Sequence, residues 1–98
     1  MERVARAAEA EAEVPYWVRA ALDRVGGLSE REAEVLALLP DGLSNRMIAR
    51  NLGISESTVK FHLGSIAKKL SLRTRVEIAV IAYEWSFSRP GALGARVR

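Results

Sequence analysis

Apolar residues recur at helical spacing in four short segments between residues 28 and 85, and each segment follows a residue that can cap a helix. Spacings of three and four residues place the apolar side chains of such a segment on one face. Glycine marks the ends of the first two helices, at Gly42 and Gly53. We expect the third helix to end near Leu70 and the fourth near Trp85. The expected N-caps are Ser29 with Glu32, Ser44, Ser55, and Thr74 with Glu77. No segment shows the alternation of apolar and polar residues that is typical of a strand, so the pattern predicts an all-α fold.

Two flanking segments differ from this four-helix domain, which we place at residues 28–85. Residues 1–27 are expected to form an N-terminal helical arm or linker, because alanine and glutamate dominate its beginning and Pro15 suits a first helical turn. Gly26 and Gly27 end that arm. Residues 86–98 contain serine, proline, glycine and three arginines, and they predict a flexible basic tail.

The second and third helices are joined by a tight turn, residues 51–55, that contains Gly53. Two short helices joined in this way form a helix-turn-helix, whose second helix enters the major groove of DNA. At about 100° per residue, the third helix has an apolar face and an opposite face that is polar and basic. The apolar face comprises Val59, Leu63, Ile66 and Leu70, and the outward face comprises Ser57, Lys60, Phe61, Gly64 and Lys68.

The distribution of charge agrees with a basic surface in the second part of the chain. The formal net charge is +3. Residues 1–34 carry five basic and eight acidic side chains, a net charge of −3, and residues 35–98 carry ten basic and four acidic side chains, a net charge of +6. A basic half is a candidate surface for a polyanion. A solvated surface with scattered lysine and arginine gives the same composition.

Composition excludes several kinds of chemistry. A chain of 98 residues suits one domain, and the absence of cysteine excludes a disulfide framework, a thiolate metal site and a cysteine nucleophile. His62 is the single histidine and no nucleophile accompanies it, so we expect no enzyme, no catalytic residue, no metal and no cofactor. The longest apolar run, residues 78–83, is too short to span a bilayer. We expect a cytoplasmic protein without a membrane partner.

Each outward residue of the third helix has a use on DNA. We expect Lys60, Phe61 and Gly64 to contact bases: the ammonium donates to guanine, the ring packs on a thymine methyl group, and glycine lets the backbone approach the groove. The expected phosphate contacts are Ser44, Ser55, Ser57, Thr58, His62, Lys68 and Lys69. In the alternative, Ser55 only caps its helix, Phe61 packs under the N-terminal arm, Gly64 is incidental, and His62 packs at the domain boundary.

Four stretches follow one another in a diagnostic order. They are Leu28-Ser29-Glu30-Arg31-Glu32 with Val35-Leu36, residues 42–49, residues 52–63, and Lys69-Leu70. Together they resemble the DNA-binding domain of the LuxR/NarL (GerE-like) family. The resemblance implies a four-helix domain that binds promoter DNA as a dimer, either free-standing or as the output domain of a response regulator in a two-component system. It also implies that Lys60 and its neighbours lie in the major groove. Many members have glutamate where this chain has Met47, which we expect to pack.

The fourth helix is apolar on two sides, which is more than one small core needs. One stripe is Val76, Ala79, Val80 and Tyr83, and the other is Ile78, Ile81, Ala82 and Trp85. The resemblance implies that this helix makes the dimer contact, with the first stripe facing the partner. In the alternative, Tyr16 and Trp17 of the arm cover the extra stripe within one chain.

The expected partners are therefore double-stranded promoter DNA, a second copy of the chain that binds weakly alone and more tightly on DNA, and RNA polymerase. Two other interpretations stay open. A sigma-factor-type promoter-recognition domain also has Leu-Ser-x-Arg-Glu and a helix-turn-helix. A protein-interaction module would have kept the fold without DNA binding; loss of Lys60 and Lys68 would favour it, and both lysines are present.

Overall fold

The computed structural model describes residues 14–88. In this range the chain forms a series of α-helices with two short 3-10 turns, Val25–Gly27 and Leu39–Asp41. The helices are α1 (Tyr16–Arg24), α2 (Glu30–Leu38), α3 (Asn45–Leu52), α4 (Glu56–Leu70) and α5 (Arg75–Ser88). The described residues contain no strand, so the predicted all-α fold is confirmed.

Local hydrogen bonds fix where α2 and α5 begin, as the sequence predicts. The Ser29 hydroxyl accepts a hydrogen bond from the Glu32 amide at 3.1 Å, and the Glu32 carboxylate accepts one from the Ser29 amide at 2.8 Å. The same reciprocal pair joins Thr74 and Glu77, at 3.1 and 3.2 Å. Each capping box satisfies amides that the first helical turn leaves without partners.

Helix α4 packs against each of the other four helices. Its predicted inner face is confirmed, because Val59, Leu63, Ile66 and Leu70 all lie in the core. Around it lie Val35 and Leu36 of α2, Ile48 and Ala49 of α3, and Ile78, Ile81 and Ala82 of α5. Full burial of each large aliphatic side chain contributes about 1.5–3 kcal/mol. Because the core takes one face of α4, the opposite face is left to solvent.

The two segments that flank the predicted domain are partly built into this core. Val18 and Ala21 of α1 are buried, so part of the predicted arm at residues 1–27 packs with the helices of the domain. Helix α5 also continues beyond Trp85, and Ser86 is buried, so residues 86–88 are helical and not tail. Residues 1–13 and 89–98, with the rest of the predicted arm and tail, lie outside the described residues. The division at residues 27/28 and 85/86 stays a prediction.

The two apolar stripes of α5 have different surroundings. Ile78, Ile81 and Ala82 are buried in the core, and Trp85 packs partly against it. On the other stripe Ala79 is half-buried, whereas Val76 is 72% exposed. The remaining members, Val80 and Tyr83, are also exposed, and Phe87 extends the same stripe.

The aromatic residues of α1 do not cover that stripe. Tyr16 is 84% exposed and Trp17 is also exposed, while Val76 and Tyr83 remain open to solvent. The alternative in which Tyr16 and Trp17 bury the second stripe within one chain is therefore wrong for the described residues. Among these residues, no helix is both long enough and apolar enough to cross a membrane.

Candidate nucleic-acid interface

The turn between α3 and α4 forms a helix-turn-helix. Gly53 ends α3 with φ of 69°, a left-handed conformation that favours glycine. The Ile54 amide then donates to the Ala49 carbonyl at 3.0 Å. Ser55 caps α4, since its hydroxyl accepts from the Thr58 amide at 3.1 Å. A helix end, a backbone hydrogen bond and a cap thus determine how α4 follows α3.

The outward face of α4 is exposed, as the sequence predicts. Lys60, Gly64 and Lys68 are exposed, and the ring of Phe61 is 72% exposed. The alternative in which Phe61 packs under the N-terminal arm is therefore wrong for the described part of that arm, residues 14–27. Neither Lys60 nor Lys68 has an ion pair or hydrogen bond with another described residue. Both ammonium groups are available to an external anion.

A depression in this face is lined in part by Gly64. It has a volume of about 370 Å³ and is lined by Lys60, Phe61, Gly64, Ser65 and Lys68. We call it the Gly64 hollow. A Cβ atom built on Gly64 would meet no atom within 4 Å, so the space above the backbone is open.

The serine and threonine hydroxyls predicted to contact phosphate lie at helix N-termini. Ser55 Oγ lies 3.0 Å from Ser57 Oγ and 2.8 Å from Thr58 Oγ1. Ser44 caps α3 by accepting from the Met47 amide at 3.3 Å. The caps predicted at Ser44 and Ser55 are confirmed, whereas phosphate contact by Ser44, Ser55, Ser57 and Thr58 stays a prediction.

A buried carboxylate ties α4 to α2. Glu32 is buried and accepts from Ser65 Oγ at 2.5 Å and from Lys69 Nζ at 2.8 Å. Burial alone raises the pKa of this carboxyl group. The hydrogen bonds from Lys69, Ser65 and the Ser29 backbone, together with the positive charge of Lys69, outweigh burial and lower the pKa from 4.5 to about 2. Lys69, a predicted phosphate contact, therefore already has a carboxylate partner.

His62 lies at the edge of the outward face and is half-buried. Its ring meets the Phe61 ring edge-on, with centroids 5.9 Å apart. The Nδ1 atom is buried and has no hydrogen-bond partner among the described residues. This position supports the boundary packing role, and phosphate contact by His62 stays a prediction.

Helix α3 carries two exposed arginines that are not among the DNA contacts predicted from the sequence. Arg46 and Arg50, spaced i,i+4, are both exposed on α3. At the start of α3, the Arg75 guanidinium donates to Asn45 Oδ1 at 2.6 Å and to the Leu43 carbonyl at 3.3 Å. The i,i+4 spacing of the two arginines was visible in the sequence. The position of Arg75, thirty residues beyond Asn45, was not.

Met47 departs from its predicted packing. It is 52% exposed, because the buried face of α3 is formed by Ile48 and Ala49, which lie further round the helix.

No group of three or more acidic or histidine residues within 14–88 is placed to hold a metal ion.

Comparison with known proteins identifies the family of this helix-turn-helix. The family model for bacterial regulatory proteins of the luxR family matches residues 27–82. The chain belongs to this family. The predicted LuxR/NarL-type domain is thus confirmed over nearly the range expected for it, and the sigma-factor-type interpretation is set aside.

Curated relatives of this luxR-family chain include a response regulator and proteins named as transcriptional regulators. The nitrate/nitrite response regulator protein NarL of Escherichia coli K12 is 48% identical over 67 residues, 67% of this chain and 31% of NarL. The DNA-binding transcriptional activator DevR/DosR of Mycobacterium tuberculosis H37Rv is 38% identical over 68 residues, 69% of this chain and 31% of that protein. The transcriptional regulatory protein DegU of Brevibacillus brevis is 49% identical over 53 residues, 54% of this chain and 22% of DegU.

In each of these relatives the matched stretch spans less than a third of the protein. The chain therefore spans about a third or less of the length of these relatives. The predicted LuxR-type helix-turn-helix domain is confirmed, and the family and the relatives that share it are regulatory proteins, which is a class distinct from enzymes.

Proposed function

We propose that this chain regulates transcription by inserting α4 into the major groove of duplex promoter DNA. The observation that carries the proposal is the division of α4 into two faces. Its inner face is in the core, while Lys60 and Lys68 stand unpaired among the described residues on the other face. Over eight residues the helix rises about 12 Å, so the two ammonium groups are spread along the groove. A second helix of a helix-turn-helix docks on DNA in this orientation.

The proposed contacts are of two kinds, those with base edges and those with phosphates. Lys60, Phe61 and Gly64 contact base edges, which carry sequence information in the major groove. Phosphate contacts position the protein without reading sequence, and they are Ser44, Ser55, Ser57, Thr58, His62, Lys68 and Lys69. Lys69 contributes less than Lys68, because Glu32 already neutralises its charge. We add Arg46 and Arg50 to the phosphate contacts on account of their exposure on α3.

The assembly we propose is a homodimer that is weak in solution and tighter on DNA. Val76, Ala79, Val80 and Tyr83 form its interface, since their stripe is left open while the opposite stripe fills the core. A single helix offers a small area, which limits the stability of a free dimer. Two symmetric recognition helices would read an inverted repeat with half-sites about 34 Å apart.

The remaining parts of the proposed function follow the relatives. NarL is a response regulator by name, and we propose that this chain is either the output domain of such a regulator or a free-standing regulator. It would act in the cytoplasm, where promoter DNA and RNA polymerase, its further proposed partner, are found.

A salt titration of DNA binding tests the main proposal. The purified chain is titrated against a duplex that it has selected from random-sequence DNA and against an unselected duplex, at several salt concentrations. Affinity should fall steeply with salt, because neutralised phosphates release counterions. Lys60→Ala should cost about 1–3 kcal/mol on the selected duplex and much less on the unselected one. Lys68→Ala should weaken both duplexes alike and reduce the salt dependence.

Arg19→Ala serves as the matched control. It removes one positive charge from an exposed position on α1, outside the helix-turn-helix, and should change neither affinity nor salt dependence appreciably. Binding that does not depend on salt, or an Arg19→Ala effect equal to that of Lys68→Ala, would contradict the proposed role of α4.

Stoichiometry on DNA tests the dimer. Val80→Glu and Tyr83→Glu place a charge in the proposed interface and should abolish the 2:1 complex in analytical ultracentrifugation. One-site binding and helical circular dichroism should persist, because both side chains are exposed in the monomer. Ser88→Glu adds the same charge at the exposed end of α5 and should leave the 2:1 complex intact. If all three variants retain the 2:1 complex, the proposed interface is wrong.

A further inference from the structure

The Gly64 hollow combines an apolar lining with positive charge, which distinguishes it from the rest of the basic face of α4. One wall is the exposed ring of Phe61, and the floor is the bare backbone of Gly64, with no atom within 4 Å of where a Cβ would lie. Lys60 and Lys68 lie at its two ends, one turn or so before and after Gly64 along the helix. The five lining residues include no acidic side chain.

The last lining residue, Ser65, is committed elsewhere. Its hydroxyl donates to the buried Glu32 carboxylate at 2.5 Å, so its proton is not available to a base. The hollow therefore combines an apolar wall with two cationic donors at its rim. A complementary group is apolar at its centre and lies among hydrogen-bond acceptors and negative charge.

In the major groove this description fits the 5-methyl group of thymine. That methyl projects into the groove beside the O4 acceptor of the same base, and phosphates line both sides. Cytosine presents a donor and no methyl group, so it offers neither the apolar contact nor the acceptor. A large side chain at position 64 would fill the space that the methyl group needs.

We propose that the Gly64 hollow is a thymine-selective subsite, in which Phe61 and the Gly64 backbone receive the 5-methyl group of one thymine of the target site. This inference rests on the proposed entry of α4 into the major groove and adds to it the group that the helix selects. Gly64 is the specificity-determining residue because the absence of its side chain leaves the subsite open.

Replacing thymine by deoxyuridine tests the subsite. A duplex selected by the purified chain is remade with each thymine changed in turn to deoxyuridine, which removes only the methyl group and preserves base pairing. Dissociation constants are measured by fluorescence anisotropy at one salt concentration. At one thymine position of the site, the change should weaken binding about fourfold, as expected for one buried methyl group.

Two variants assign that effect to the hollow. Phe61→Ala removes the wall, and Gly64→Gln fills the hollow with a large polar side chain; each should bind the thymine and deoxyuridine duplexes equally at that position. Gly64→Gln should also melt at a higher temperature, because glutamine favours the helix interior more than glycine does and a Cβ at this position meets no atom within 4 Å. Loss of discrimination in a more stable protein cannot result from unfolding. Phe61→Leu keeps an apolar wall and should retain part of the preference.

The outcomes separate this inference from the proposed function. If the chain binds a selected duplex in a salt-dependent way but every deoxyuridine substitution is neutral, the thymine subsite is wrong and the proposed function stands. The subsite is also wrong if Phe61→Ala and Gly64→Gln keep the full fourfold preference. If the chain binds no duplex at low salt, both proposals are overturned.

Discussion

Replacing Glu32 by glutamine should weaken the buried polar contacts that join α2 to α4. Glu32 is 5% exposed, and its carboxylate accepts hydrogen bonds from Ser65 Oγ and Lys69 Nζ on α4, and from the Ser29 amide. Glu32→Gln preserves the size of the side chain and removes its charge. The buried hydrogen bonds that depend on the charge are then weakened or lost.

The size of the effect follows from the lowered pKa. A shift from 4.5 to about 2 corresponds to about 3.4 kcal/mol in favour of the ionised form, at about 1.36 kcal/mol per pKa unit. The Lys69 side chain is 43% exposed, and water screens its charge. We therefore expect Glu32→Gln to lower the free energy of unfolding by about 2 kcal/mol at pH 7, which lowers the melting temperature of a domain of this size by roughly 10 °C.

Urea denaturation followed by circular dichroism measures this difference and its pH dependence. The folded pKa of Glu32 lies below the value of 4.5 of the unaffected group, so the stabilisation is complete above about pH 5 and is lost as the pH falls toward 2. The free energy of unfolding of the wild type should therefore fall between pH 5 and pH 2 by the contribution of the ionised Glu32. Glu32→Gln lacks this contribution, so the difference in stability between the two proteins should disappear at low pH.

Glu34→Gln is the matched control on the same helix. Its carboxylate is exposed and pairs with the exposed Arg31 at 3.0 Å, an arrangement that contributes at most about 0.5 kcal/mol. Equal destabilisation of the two glutamine variants would contradict a stabilising role for the Glu32 charge. A difference in stability between wild type and Glu32→Gln that is the same at pH 7 and pH 3 would also contradict it.

Other substitutions test the fold and its faces by thermal or urea denaturation. Gly53→Ala and Gly64→Ala are the same chemical change, but we expect the first to lower and the second to raise the free energy of unfolding. The first should cost about 1–2 kcal/mol because φ is 69° there, and the second should gain up to about 1 kcal/mol in the middle of α4; equal signs would contradict the backbone assignment. Ser55→Ala removes the cap of α4 and should cost about 1 kcal/mol, so an unchanged stability would refute the cap. Ile81→Ala should cost about 2–5 kcal/mol, whereas the exposed Val80→Ala should cost far less; similar losses would show that both stripes of α5 are core.

Local features of the fold could be predicted because their causes lie within a few residues of chain. Ser29, Ser44 and Ser55 cap helices by hydrogen bonds to amides three residues ahead. The helical period likewise separates the buried Val59 from the exposed Lys60 one residue later. Helix caps and the helical period were therefore sufficient to predict the positions of α2 to α5 and the outward face of α4.

The errors came where distant segments compete for the same space. Met47 was expected to pack, but Ile48 and Ala49 occupy the buried side of α3. The sequence also did not show that Val18 and Ala21, in the segment predicted as an arm or linker, lie in the core. Helical spacing indicates which residues share a face, but it does not indicate which neighbour covers that face.

The sequence by itself therefore determined the helices, their caps, their two-faced character and the family. Only the tertiary structure decided which stripe of α5 fills the core, that the space above Gly64 stays open, and that Lys69 is held by Glu32. The partners in that ion pair are 37 residues apart, and no periodic pattern connects them. Such contacts form only when the packing of apolar faces brings distant helices together. This packing determines which polar side chains are buried next to each other, away from water.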